Sequence, residues 1–182
     1  MNSGTLYRFG AAAFILSGVL NSIADFLPPA LTRLLNFGGV AFGILGITAV
    51  YLYQRRESRL LGFSSYVLTI LGFIGIAGFL FVDAFVFPYI DPSLQEALTN
   101  GQTGMAIFIS VIAYVLGVLL FVLASLRARV YPKIPLLFWG LGVIPTPLAL
   151  ILPAGIMTIA EVIVSISIIW IGVVLWQGAV TK

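Results

Sequence analysis

Four ionisable side chains stand inside otherwise apolar stretches of the chain: Asp25, Arg33, Asp83 and Glu161. A charge held in hydrocarbon costs about 2.5 kcal/mol or more, less near an interface, so such groups need a partner, a ligand or water. If all four ionise, the carboxylates outnumber the guanidinium by two. Three outcomes are physically reasonable. Desolvation and like-charge proximity leave one or two acids protonated; a Na⁺, Ca²⁺ or Mg²⁺ ion binds among the oxygens; or the site opens to water. Asn21, Asn36, Tyr114 and Thr146 occur at comparable depths and are candidates to line the same vestibule.

Each of these residues also has a purely structural explanation. Asp25 and Arg33 flank Pro28 and Pro29, and a salt bridge closing that hairpin is the simplest account of both. Asp83 and Glu161 have no such local partner, and for them a ligand-binding or ion-binding role weighs as much as a structural one.

Much other chemistry is excluded. The chain has no cysteine and no histidine, so thiolate sites, histidine-ligated zinc or haem, and serine–histidine hydrolysis are absent. The contexts Ala24-Asp25-Phe26 and Val82-Asp83-Ala84 lack the flanking glycine expected of an intramembrane aspartyl dyad. No lysine lies inside an apolar run, and no glycine-rich phosphate loop appears. No catalytic residue, cofactor or metal is assigned, and a nucleic-acid partner is not expected.

The elements that must position these groups follow from composition. Of 182 residues, 61% are hydrophobic and 8% charged, and the mean hydropathy is +1.17; an average soluble domain is about 25% charged. Lipid must therefore be the main solvent. About 20 residues cross a ~30 Å hydrocarbon core. The apolar runs predict one all-α domain of six transmembrane helices: Leu6–Leu27, Leu31–Tyr53, Leu60–Phe87, Met105–Leu126, Pro135–Leu152 and Ile156–Trp176. Breaks are expected at Pro28-Pro29, Gln54–Arg59, Pro88, the Asp91–Gly104 loop, Arg127–Lys133 and Pro153–Gly155. Pro145 and Pro147 interrupt the fifth helix, where a re-entrant hairpin is an alternative. Arg8, followed by an apolar run and Ser22-Ile23-Ala24, loosely matches a cleavable signal peptide; the segment is read as the first helix.

Arg8, Arg55, Arg56, Arg59, Arg127, Arg129, Lys133 and Lys182 fall on one side of this arrangement and Arg33 alone on the other. That bias makes the basic side cytoplasmic, with both termini inside a plasma membrane, and brings the four ionisable groups within roughly 8 Å of the outer edge. Small and polar residues recur at helical spacing, as in Ala13, Ser17, Asn21 and Asp25, or Gly39, Gly43 and Gly46. These seams are expected to be bundle packing.

In size, helix number and inward termini the chain resembles the substrate-binding membrane subunits of vitamin-uptake transporters. The likeness is one of architecture and rests on no motif, so no residue is carried over. The expected function is a small binding or transport protein with an outward-facing, carboxylate-lined pocket for a small molecule or cation. The alternative is a non-catalytic accessory subunit held by membrane partner subunits.

Overall fold

A computed structural model describes residues 3–149 and 151–180; Lys182 of the basic set lies outside the described residues. Every regular element among them is helical. Helix α1 spans Ser3–Ala24, α2 Pro29–Phe85, α3 Pro92–Asn100, α4 Gln102–Ala128, α5 Lys133–Val143 and α6 Ala154–Val180, with 3₁₀ turns at Phe87–Tyr89 and Thr146–Leu148. Among the described residues four helices (α1, α2, α4 and α6) are long and apolar enough to cross a membrane.

At 57 residues, an unbroken α2 would extend about 85 Å, far beyond a ~30 Å hydrocarbon layer. It is broken at one residue, Arg59, whose φ of 49° and ψ of −140° are non-helical. The break gives two arms, residues 29–58 and 60–85. The charged run therefore does not form a loop. Gln54, Arg55, Arg56 and Glu57 are all good helix formers, the Ser58 hydroxyl donates to the Gln54 carbonyl at 3.0 Å, and the reversal is compressed into Arg59.

Two further expectations need correction. The Asp91–Gly104 segment contains α3, begun by Pro92 at its first turn, where the ring's fixed φ suits a helix. The Gln95 amide ties it back to the Phe87 and Ile90 carbonyls at 2.8 and 3.1 Å. The fifth helix is 11 residues long, about 16 Å and so roughly half a crossing. Pro145 and Pro147 convert its continuation into the 3₁₀ turn Thr146–Leu148.

The small-residue seams are the crossing points. Against α1, the first arm of α2 runs antiparallel: a Cβ on Gly46 would strike Phe14, and one on Gly39 would strike Asn21. The Ser17 hydroxyl donates to the Gly39 carbonyl at 2.7 Å. Across the second arm, Gly72 meets the Tyr114 backbone of α4 and Gly117 meets Thr69. Lipid offers no hydrophobic drive between helices, so this backbone approach supplies the contact area.

Tyr7 packs on Tyr53 with ring centroids 5.3 Å apart, and Tyr53 lies 6.1 Å from Tyr131. These contacts gather Arg8, the Arg55–Arg59 run, the end of α4 and the start of α5 at one end. Burial holds the Tyr131 phenol well above its ordinary pKa, so it stays protonated and donates to the Val50 carbonyl at 3.2 Å. The interior is tightest in this half. Phe14 and Phe121 meet Trp139 edge-on at 5.7 and 5.9 Å, and Ile47, Val50, Leu136, Ile171 and Leu175 are wholly buried. Buried Gln54 donates to the Ser125 hydroxyl at 2.7 Å.

Candidate functional site

Beyond the Phe14–Trp139–Phe121 layer, away from the basic end, the helices part around a cavity of about 230 Å³. The polar groups in its wall converge from five elements. Asn21 comes from the last turns of α1, seated where Gly39 lacks a side chain. Asn36 comes from the first arm of α2, Tyr114 from α4 and Thr146 from the 3₁₀ turn after α5. Glu161 and Ser165, one helical turn apart, come from α6.

The rest of the wall is hydrocarbon and aromatic, including Val40, Ile76 and Leu80 from α2 and Met157 and Val164 from α6. Phe73 and Tyr114 pack with ring centroids 4.9 Å apart and both face the cavity. Gly142 brings α5 onto α6, since a side chain there would press on Val164. A mostly apolar wall with a few convergent polar groups is the usual composition of a small-molecule site.

The four charged groups divide into two pairs. Asp25 does not pair with Arg33 across the proline turn. Its Oδ2 accepts from the Thr158 hydroxyl at 3.0 Å, and its acidic neighbour, on the same helix as Thr158, is Glu161. Arg33 instead reaches the second arm of α2, where its Nε is 3.7 Å from Asp83 Oδ1 and its Nη1 donates to the Asp83 carbonyl at 3.4 Å. The reason lies in the preceding residue. The Thr32 hydroxyl is turned toward α1, bonding the Ala24 and Leu27 carbonyls at 2.8 and 3.0 Å. The next residue on a helix points about 100° away, which carries Arg33 off the turn and toward Asp83.

Of the sequence-derived candidates, Asn21, Asn36 and Glu161 line the cavity, together with Tyr114 and Thr146. Asp25 stands beside Glu161 outside the wall, and Arg33 and Asp83 satisfy each other away from it. Among the described residues no group of three or more His, Cys, Asp or Glu side chains is placed to hold a metal ion, so the three acids do not form a common cation cage. Phe73 and Met157 carried no sequence signal, being apolar residues in apolar runs. Ser165 is a small hydroxyl one helical turn from Glu161 in an apolar run, a residue type that packing alone explains.

Two neighbouring carboxyl groups, Asp25 and Glu161, both exposed rather than buried, accommodate either a shared proton or a cation, and Glu161 also lines the cavity. No protein-family model, curated protein or solved structure matches this chain.

Proposed function

We propose that the protein is a six-span membrane protein, with both ends on the cytoplasmic side of a plasma membrane, that binds or transports a small molecule or cation through the cavity at Glu161. The six-span reading counts the two arms of α2 separately and takes α5 with its 3₁₀ turn as a short, partly re-entrant fifth segment. The orientation is supported by the gathering of Arg8, Arg55, Arg56, Arg59, Arg127, Arg129 and Lys133 at one end, following the positive-inside rule.

The single observation that carries the binding reading is a cavity of about 230 Å³ whose wall holds Glu161 as its ionisable carboxyl. It lies in the half of the bundle away from the basic end, so the direction of entry is from outside. Bundle packing alone does not call for Glu161, Asn21 and Asn36 on one wall, since small and apolar residues suffice to close a helix seam in lipid.

The test is a thermal-unfolding screen of the detergent-solubilised full chain against organic cations, neutral molecules and anions of up to about a dozen non-hydrogen atoms. A ligand that binds the folded state alone raises the melting temperature by mass action. At least one class stabilises the native protein, and Glu161→Gln removes the effect without changing expression. If no class does so, or if Glu161→Gln and Asn36→Ala both respond like the native chain, this reading fails.

A further inference from the structure

We infer that the occupant of this cavity is a small organic cation, a single ammonium head on an apolar body of about ten non-hydrogen atoms. The inference rests on the binding reading above and specifies the class of molecule that reading leaves open.

Size sets the first limit. An apolar cavity of about 150 Å³ admits benzene, so 230 Å³ has room for one ring with a compact substituent. Charge sets the second. Among the described residues Glu161 is the charged side chain in the wall, Asp25 is its acidic neighbour, and no lysine or arginine lines the space. The arginine at this end, Arg33, is already engaged by Asp83. Both carboxyl groups are exposed, so an anion would enter beside like charge at the open side of the cavity, whereas an ammonium meets opposite charge there.

The aromatic wall sets the third. Phe73 and Tyr114 present two rings to the same space as Glu161, and an alkylammonium over a ring face is attracted by the ring quadrupole, most strongly where water is excluded. The amide oxygens of Asn21 and Asn36 add acceptors without adding charge. A bare divalent ion suits the wall poorly. Ca²⁺ takes six to eight oxygen ligands and Mg²⁺ retains much of its water, while most of this wall is hydrocarbon and ring.

Phenyltrimethylammonium, with tert-butylbenzene as its neutral isostere, benzenesulfonate as an anion of matching size, and calcium chloride, separates these cases. Each is measured by calorimetry and thermal shift on the detergent-solubilised full chain. The ammonium binds; its neutral isostere binds at least tenfold more weakly, and benzenesulfonate and calcium do not bind. Glu161→Gln weakens the ammonium at least tenfold, Phe73→Leu weakens it several-fold, and Asp91→Asn, which removes a carboxylate outside the cavity, leaves it unchanged.

Equal binding of tert-butylbenzene, or preference for benzenesulfonate or calcium, overturns the cation assignment while the cavity remains a binding site. Failure of all four probes counts against the cation assignment and the binding reading together. Should Glu161→Gln not fold, Phe73→Leu still decides, since undiminished ammonium affinity there removes the ring contact on which the class rests.

Discussion

Arg33 and Asp83 lie 50 positions apart in the chain, yet they close a 3.7 Å ion pair between the two arms of α2. The pair joins the arms at the end opposite their hinge at Arg59, so the long helix is folded back on itself and fastened at its open ends. It also withdraws the arginine from Asp25 and Glu161, so that among the described residues no basic side chain lines the cavity.

Breaking this pair costs stability because each single change leaves one charge behind. With side chains 38% and 24% exposed, Arg33→Gln and Asp83→Asn should each destabilise by about 1 kcal/mol, toward the upper end for partly exposed pairs. The double variant should lose less than the sum of the two singles. Thermal unfolding in detergent checks this, and strict additivity would show that the pair contributes nothing.

The glycines divide into crossing points and surface positions. A Cβ at Gly46 would collide with the Phe14 backbone and ring, whereas nothing lies within 4 Å of one at Gly78. Gly46→Ala should therefore destabilise by about 1–3 kcal/mol through overpacking. Gly78→Ala should be neutral or stabilise by about 1 kcal/mol at most, the gain in helix propensity. Equal melting temperatures for the two variants would contradict the seam geometry.

Arg59 reverses the chain at a backbone angle, φ 49°, that side chains other than glycine occupy at a cost of about 1–3 kcal/mol. Arg59→Gly should melt at or above the native temperature, and Arg59→Val clearly below it, because a branched Cβ is the worst occupant of that region. Both variants remove the same charge, so their difference isolates the backbone effect. The reverse order would place the hinge elsewhere.

The packing seams were readable from the chain alone, because small residues at helical spacing have one good use in lipid; Ser17, Gly39 and Gly46 all lie at the α1–α2 crossing. The comparable depths of Asn21, Asn36 and Glu161 follow from counting along apolar runs, and all three line one cavity. The partner of Arg33 was not readable. Proximity in sequence favours Asp25, but the choice depends on which way Thr32 turns, and that is settled by carbonyls left open at the proline turn. Helix α3 was legible but passed over: Leu94, Ala97 and Leu98 stand at helical spacing behind Pro92, yet nine residues are too few to span a bilayer, and a search for spans reads them as a loop. The early stop of α5 needed the weighing of two prolines against an apolar run, and the prolines prevailed.

The chain has no native cysteine, so single cysteines can be placed at Asn36 in the cavity wall, at Ser93 in α3 and at Glu57 at the basic end, and challenged in intact cells with a membrane-impermeant thiol reagent. Ser93→Cys and Asn36→Cys should react from outside, and Glu57→Cys only after the membrane is opened. An Asn36→Cys that reacts from the cytoplasmic side alone, or only after denaturation, would contradict a cavity open to the exterior.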